Sequence, residues 1–445
     1  MISTVRINNA VLFVLALAVP FIETWSVAGH NIMNFQQISV ALLAYFLFLR
    51  SCLPGNSPLS AVKSPISFSL ILFTLLVCVS YLFITDNYSL GVSQVMNYVE
   101  IAVVYLILSE LSYNEATIKW LFRGLMLGFL ISVFIALMQK LGFTAFNLFG
   151  EDDLNLNPNT SYVSKENLVD AVRIWGPFGN ALTFSLYLSV VGVVLFYYYR
   201  LYKGKQLYAW VIFAVTMLSI SWTISRMAFA AFLVSIFVIE MIVANGFQRV
   251  RNVMIILGLA ILFSLIKTSL STSNELVSRI TDTNDDFKEG RLDLWIVGYK
   301  VWMDNLFFGA GPGNLNLELY KHGLVGLDPY VMQYIIGHVE NYYLTVLYTF
   351  GLIPFFAYLL FIVAYFRAAL GLFYHSLRMD VNRLAMPVLA GVICLFINNL
   401  INPVLNTDQR VQMLFVLLLV ITNVYYKRMV AETDTEPDYE ELAAA

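Results

Sequence analysis

The stretch EGRLDLWIVGYKVWMDNLFFGAGPGN, residues 289–314, and the segment GHVENYYLTVLYTFGLIP, residues 337–354, belong to the longest part of the chain that a bilayer would not accommodate. The first contains Arg291 and a glycine-rich turn, and the second places His338 and Glu340 directly before an apolar helix. Apolar runs make up most of the sequence on both sides. We therefore expect a frame of transmembrane helices that holds these polar segments at a membrane surface.

The composition is that of a membrane protein. Hydrophobic residues make up 59% of the chain and charged residues only 12%, whereas about a quarter of the residues of a soluble domain are charged. Backbone amides inside lipid must be paired within the protein, so an all-α polytopic fold is predicted. The net charge of −3 favours no nucleic-acid partner.

Apolar runs long enough to cross a bilayer predict about twelve transmembrane helices, the first of them retained rather than cleaved as a signal peptide. The runs lie near 9–27, 36–50, 66–85, 93–109, 119–142, 178–199, 206–224, 226–244, 252–269, 341–366, 384–401 and 410–426.

The basic loops predict the orientation of these helices. With a cytoplasmic N-terminus, twelve spans bring every basic cluster to the cytoplasmic side, in agreement with the positive-inside rule. The clusters are Arg50 with Lys63, then Arg200 with Lys203 and Lys205, Arg249 with Arg251, Arg367 with Arg378 and Arg383, and Lys427 with Arg428.

The predicted organisation follows from this topology. Two long loops lie on the non-cytoplasmic side, and a disordered acidic tail ends the chain in the cytoplasm. The units are helices in 1–142, a loop at 143–177, helices in 178–269, a large loop at 270–340, helices in 341–428 and the tail at 429–445.

Neither a metal nor a cofactor is predicted. The three cysteines are scattered and match no metal-ligand or disulfide spacing. No GxxxxGK[ST] loop occurs in the sequence, so ATP hydrolysis is not expected to drive a transport cycle.

Arg173, Arg226, Arg291 and Arg410 lie at the predicted non-cytoplasmic helix ends or in the large loop. A cation near hydrocarbon costs on the order of 3 kcal/mol, so its placement there favours a function. Guanidinium groups pair with phosphate oxygens in a bidentate geometry, which predicts a diphosphate site. The alternative is that these side chains snorkel to the lipid headgroups. Gly176-Pro177, at the predicted start of the sixth helix, would add backbone donors.

Two further groups complete the candidate site. Glu340, with His338 as an additional candidate, is predicted to accept the proton of an attacking hydroxyl, and Asn341 would orient that hydroxyl or the base. The alternative for Glu340 is a favourable charge at a helix N-terminus. Gly311 and Gly313 would bring backbone close to a sugar or phosphate, or would simply form a turn.

The motifs together resemble the O-antigen ligase/polymerase superfamily of bacterial envelope glycan assembly. The segment RIWGPFGN at 173–180 is similar to its "R…G.F.N" motif, and Ser225-Arg226 is similar to its "SR" motif. The loop that begins at Arg291 and runs through GAGPGN at 309–314 into NYYL at 341–344 is similar to its "R…W…G.GPGN…N.YL" region.

The resemblance implies a GT-C-like architecture and a metal-independent glycosyl transfer at the periplasmic face of the bacterial inner membrane. The donor would be a glycan on undecaprenyl diphosphate, held by the arginines. A polymerase extends another lipid-linked repeat unit and often works with a chain-length regulator protein. A ligase transfers the glycan to lipid A–core in lipopolysaccharide biosynthesis.

Of these two enzymes, the polymerase is favoured by the position of Glu340. Ligases typically carry His directly before the Asn of "HN.YL", whereas Glu340 precedes Asn341 here and His338 lies two positions further upstream. The ligase remains the first alternative. A transporter or flippase for lipid-linked sugars is the second alternative. Transporters usually place charged residues near the bilayer midplane, whereas the predicted spans contain few charges there, with Glu100 as the main exception.

Overall fold

The fold was analysed in a computed structural model. It describes residues 4–22, 26–27, 30–31, 35–52, 63–86, 88–111, 115–143, 146, 173–244, 246, 251–252, 254, 258, 292–314, 318, 341–375, 379–401 and 403–433. These residues are helical apart from turns and one antiparallel ladder of two residues per strand, in which β1 (Ser26–Val27) pairs with β2 (His30–Asn31).

Five helices form the N-terminal part of the bundle. Ser64 shows how the sequence starts one of them, because its hydroxyl oxygen accepts a hydrogen bond of 3.2 Å from the amide of Ile66, and Pro65 occupies the first helical position. The helices are α1 (Thr4–Ala18, followed by a 3-10 turn at Val19–Phe21), α2 (Phe35–Cys52), α3 (Pro65–Ile84), α4 (Tyr88–Leu111) and α5 (Glu115–Lys140).

The middle of the chain contains the central helix of the bundle. Asn180 caps it by accepting a hydrogen bond of 2.8 Å from the amide of Leu182. The elements are a 3-10 turn (Gly176–Phe178), α6 (Ala181–Tyr197), a π-helical turn (Tyr198–Tyr202), α7 (Gln206–Thr223), α8 (Arg226–Val243) and α9 (Leu292–Asp304).

Five helices follow in the C-terminal part: α10 (Tyr342–Phe350), α11 (Leu352–His375), α12 (Met379–Asn398), α13 (Val404–Thr407) and α14 (Gln409–Thr433). Helix α6 packs against α5, α7, α8 and α12. Its membrane-spanning part is 89% buried, compared with 39% for that of α8 and of α11, so α6 lies at the centre of the bundle.

The all-α, polytopic fold predicted from the sequence is confirmed. Eight of the described helices are long and apolar enough to cross a membrane, and three shorter apolar helices accompany them. The shorter ones correspond to the first, second and eleventh predicted runs. Most of the ninth run, 252–269, and most of the two long loops lie outside the described residues.

The run predicted as one helix over 341–366 is two helices instead. Helix α10 ends at Phe350, and Gly351 has a φ of +82°, which L side chains rarely adopt. A Cβ at Gly351 would overlap the backbone of Phe307 and Gly309. The break between α10 and α11 therefore results from close packing of Gly351 against the start of the glycine-rich turn. A pattern of hydrophobic residues does not predict such packing.

Candidate functional site

The segment containing Arg173 is joined to the segment containing Arg226. The amide of Ile174 donates a hydrogen bond of 3.1 Å to the carbonyl oxygen of Trp222, near the end of α7. The chain then turns through Ile224, with a φ of +57°, and Arg226 begins α8. Arg173 is half-buried and Arg226 is exposed. Two arginines that are far apart in sequence thus lie on neighbouring segments at one end of the bundle, the end at which α5 and α7 finish and α6, α8 and α14 begin. We call it the motif end.

A side chain of α5 holds the turn that precedes α6. Gln139 donates to the carbonyl oxygen of Gly176 at 2.9 Å and accepts from the amide of Gly176 at 2.9 Å. Gly176 has a φ of +55°, and a Cβ there would lie 2.6 Å from the ring of Phe184. The glycine of the "R…G.F.N" segment is therefore required by conformation and by packing. Helix α6 begins at Ala181, after this turn, rather than at Gly176-Pro177 as predicted.

Arg410 is buried and paired at the motif end. Its Nη2 lies 2.5 Å from Oδ2 of Asp408, and its Nε lies 3.0 Å from Oδ1. Its Nη1 donates to the carbonyl oxygen of Phe178 at 2.7 Å, and its guanidinium lies 4.7 Å from the centre of the Phe178 ring. Because Asp408 neutralises this charge, Arg410 fixes the turn before α6 against α14. A phosphate bound directly by Arg410 would have to compete with Asp408.

Asn341 begins α10 at the same end. Its Oδ1 accepts from the amide of Leu344 at 3.0 Å, so the oxygen predicted to orient a hydroxyl caps the helix. The amide of Tyr342 donates to the carbonyl oxygen of Asn399 at 3.0 Å, and Oδ1 of Asn399 accepts from the amide of Leu405 at 3.1 Å. Asn399 thus joins the start of α10 to the connection between α12 and α13.

Glu340 immediately precedes Asn341 in the chain, but Glu340, His338 and Arg291 lie outside the described residues. Their proposed roles stay predictions. What the structure defines is the position of the residue that follows Glu340.

The glycine-rich turn forms hydrogen bonds with α10, with α4 and with the connection between α3 and α4. The amide of Gly311, whose φ is +88°, donates to the carbonyl oxygen of Thr349 at 2.9 Å. The amide of Gly313 donates to Oε1 of Gln94 at 3.1 Å. Asn314 binds the α3–α4 connection, accepting from the amide of Asp86 at 3.2 Å. Since these two glycine amides already have protein acceptors, the turn joins α10 to α3 and α4. Substrate contact by Gly311 or Gly313 remains a prediction.

Three positions were missed by sequence reasoning. Gln139 holds the turn before α6, Asn399 holds the start of α10, and Asp408 neutralises Arg410. Each is a polar residue within or beside an apolar run, which is the signal that would have identified it. The sequence does not show which partner each one meets.

A cavity of about 570 Å³ lies at the opposite end of the bundle, where α6 and α8 finish and α7 begins. Its lining includes Arg200, Trp210, Glu240 and Arg251. Arg200 pairs with Glu240, which also accepts from the hydroxyl of Tyr197 at 3.0 Å. Of the predicted site residues that the structure describes, none lines this cavity, which lies at the other end of the helices from the motif end.

The architecture is thus that of an all-α membrane protein in which the segments of Arg173, Arg226 and Arg410 lie at one end of the helices. A family model described as O-antigen ligase matches residues 210–359 of the chain. The matched region includes Arg226, the glycine-rich turn and Asn341, and it supports the resemblance to the O-antigen ligase/polymerase superfamily. A search of the curated proteins found no match.

Proposed function

We propose that this protein is a polysaccharide polymerase of the O-antigen type. It transfers a growing glycan from undecaprenyl diphosphate to the non-reducing sugar of another lipid-linked repeat unit. The reaction takes place at the periplasmic face of the bacterial inner membrane, with both chain termini in the cytoplasm. A chain-length regulator protein is a partner in this proposal.

The chemistry assigns one task to each group. The acceptor hydroxyl oxygen attacks the anomeric carbon of the donor sugar, and the bond between that carbon and the diphosphate oxygen breaks. Undecaprenyl diphosphate leaves as an anion that Arg173, Arg226 and Arg291 stabilise. Glu340, with His338 beside it in the chain, accepts the proton of the attacking hydroxyl.

One observation supports this assignment most. The Ile174–Trp222 hydrogen bond brings the Arg173 segment to the start of α8, where Arg226 lies. At the same end, Arg410 holds the turn that follows Arg173, and Asn399 holds the residue two positions after Glu340. The segments of Arg173 and Arg226 and the start of α10, which follows Glu340 in the chain, are therefore anchored at a common end of the bundle, and this supports the proposal.

The test is a reconstituted reaction. Purified protein and native lipid-linked repeat units are mixed in detergent, and the chain length of the products is measured. Wild-type protein should make long chains, whereas Glu340→Gln at equal expression should make none. A Glu340→Gln variant that produces normal chain lengths would remove Glu340 from the mechanism. Failure of the wild-type protein with a substrate accepted by a known polymerase would favour the transporter alternative.

A ligase is the second candidate, because the matching family model is described as O-antigen ligase. Cells that lack the protein distinguish the two enzymes. Loss of a polymerase leaves single repeat units on lipid A–core, whereas loss of a ligase leaves lipid A–core without any repeat unit. The band pattern of lipopolysaccharide on a gel therefore decides between them.

A further inference from the structure

Four basic side chains meet at the end of the bundle opposite to the motif end. Lys119 and Arg123 lie on the first turns of α5, and Lys203 and Lys205 lie in the connection between α6 and α7. The rings of Phe122 and Tyr198 stack at 4.3 Å with an interplanar angle of 9°, which holds α5 against the π-helical turn. The two pairs of cations thus come from separate parts of the chain and share one surface.

Aromatic rings lie beneath three of these cations. The guanidinium of Arg123 is 4.5 Å from the centre of the Trp120 ring. The ammonium of Lys203 is 5.0 Å from the Tyr202 ring, and that of Lys205 is 5.2 Å from the Tyr208 ring. Ring faces attract cations without neutralising them, so the positive charge of this surface remains available to an anion.

The charges at this surface repel one another. Partial burial, followed by repulsion from Lys119, Arg123 and Lys205, lowers the pKa of Lys203. An anion bound between the two pairs would relieve this repulsion.

The neighbouring side chains indicate where that anion comes from. Leu207 is 75% exposed and Val211 is 53% exposed on α7, both within two turns of Lys205. Trp120 and Tyr208 are also exposed, at 38% and 55%. Large apolar side chains next to cations and interfacial aromatic rings are typical of the boundary between lipid tails and headgroups.

We propose that the surface formed by Lys119, Arg123, Lys203 and Lys205 binds the phosphate of an anionic phospholipid headgroup in the adjacent leaflet. The lipid tails lie along the exposed apolar face of α7, and the phosphate lies between the two pairs of cations. This site is separate from the proposed glycosyl-transfer site and does not depend on it.

The experiment compares thermal unfolding in lipid discs of pure phosphatidylcholine with unfolding in discs of equal parts phosphatidylcholine and phosphatidylglycerol. The wild-type protein should have a higher Tm in the anionic discs. The double variant Lys203→Gln/Lys205→Gln should lose at least half of that increase. In pure phosphatidylcholine its Tm should equal or exceed that of the wild type, because repulsion is relieved. Lys140→Gln, which changes an exposed lysine at the other end of α5, is the matched control and should keep the full increase.

Two results would overturn the proposal. The first is a double variant that keeps the wild-type increase in anionic discs. The second is an equal increase in phosphatidylcholine discs on addition of inorganic phosphate, which would assign the surface to a soluble anion. If the double variant does not fold, the single variant Lys203→Gln takes its place. Native mass spectrometry of that variant and the wild type should then show fewer bound phosphatidylglycerol molecules on the variant, and equal numbers would refute the site.

Discussion

The guanidinium of Arg410 donates a hydrogen bond of 2.7 Å to the carbonyl oxygen of Phe178, 232 residues earlier in the chain, while Asp408 neutralises its charge. This contact joins the start of α14 to the turn that follows Arg173. An arginine expected to bind substrate therefore has a structural partner, and it fixes the position of that turn.

The pair formed by Asp408 and Arg410 should be needed for folding. Asp408→Asn leaves a buried guanidinium without its counter-charge, which typically costs about 3–5 kcal/mol. We expect a large drop in Tm in detergent. The matched control is Glu110→Gln, which disrupts the longer and more exposed Lys427–Glu110 pair at 3.8 Å. That control removes a longer contact and should lower the Tm less than Asp408→Asn does. Equal effects of the two variants would contradict the structural role of Asp408.

The break between α10 and α11 should depend on Gly351. Alanine at a positive φ costs about 1–2 kcal/mol, and here its Cβ would also overlap Gly309. Gly351→Ala should therefore lower the Tm and the yield of folded protein. Gly371→Ala in α11 is the control, because its nearest neighbour lies 3.9 Å from the added Cβ. Alanine is the better helix former by about 1 kcal/mol, so the control should be neutral or stabilising.

Asn399 should act as a positioning residue for the proposed reaction. Asn399→Ala removes the acceptor of the Leu405 amide and loosens the carbonyl that holds Tyr342. A displacement near 1 Å can cost about a hundredfold in rate, so we expect kcat to fall by about tenfold to a hundredfold with a smaller change in KM.

The neighbouring Asn398 supplies the comparison for this experiment. Asn398 bonds to Ser189 of α6 at 3.2 Å rather than to α10. Asn398→Ala should reduce stability more than it reduces turnover. If both variants lower kcat in proportion to the loss of folded protein, Asn399 has only a structural role.

Arg226 should be needed for activity more than for stability. Its side chain is exposed, and substitutions at such positions usually change stability by about 0.5 kcal/mol or less. Arg226→Lys keeps the charge and loses the bidentate geometry that suits a diphosphate. We expect an unchanged Tm and a clear loss of polymer in the reconstituted assay. Arg383→Lys, an exposed arginine on α12, should leave both measurements unchanged.

Several features of the fold could be predicted from local sequence. Apolar runs such as those that form α3 and α6 can be recognised as membrane-spanning helices from local sequence. The free-energy cost of exposing such a run to water depends on the residues within the run itself. Caps such as Asn180 are local as well. The break at Gly351 could not be predicted, because it depends on Phe307 and Gly309, more than forty positions away in sequence.

Some features of the candidate site could likewise be predicted from the sequence, and others depend on the tertiary structure. By itself, the sequence determined that the protein is an all-α membrane protein, and it identified the arginine and glycine motifs and their order along the chain. Only the tertiary structure decided that Arg410 is neutralised by Asp408, that Gln139 holds the Gly176 turn, and that the glycine-rich turn binds helices. The physical reason is that helix formation in lipid depends on residues close in sequence, whereas hydrogen bonds and ion pairs depend on groups that meet only after the helices pack.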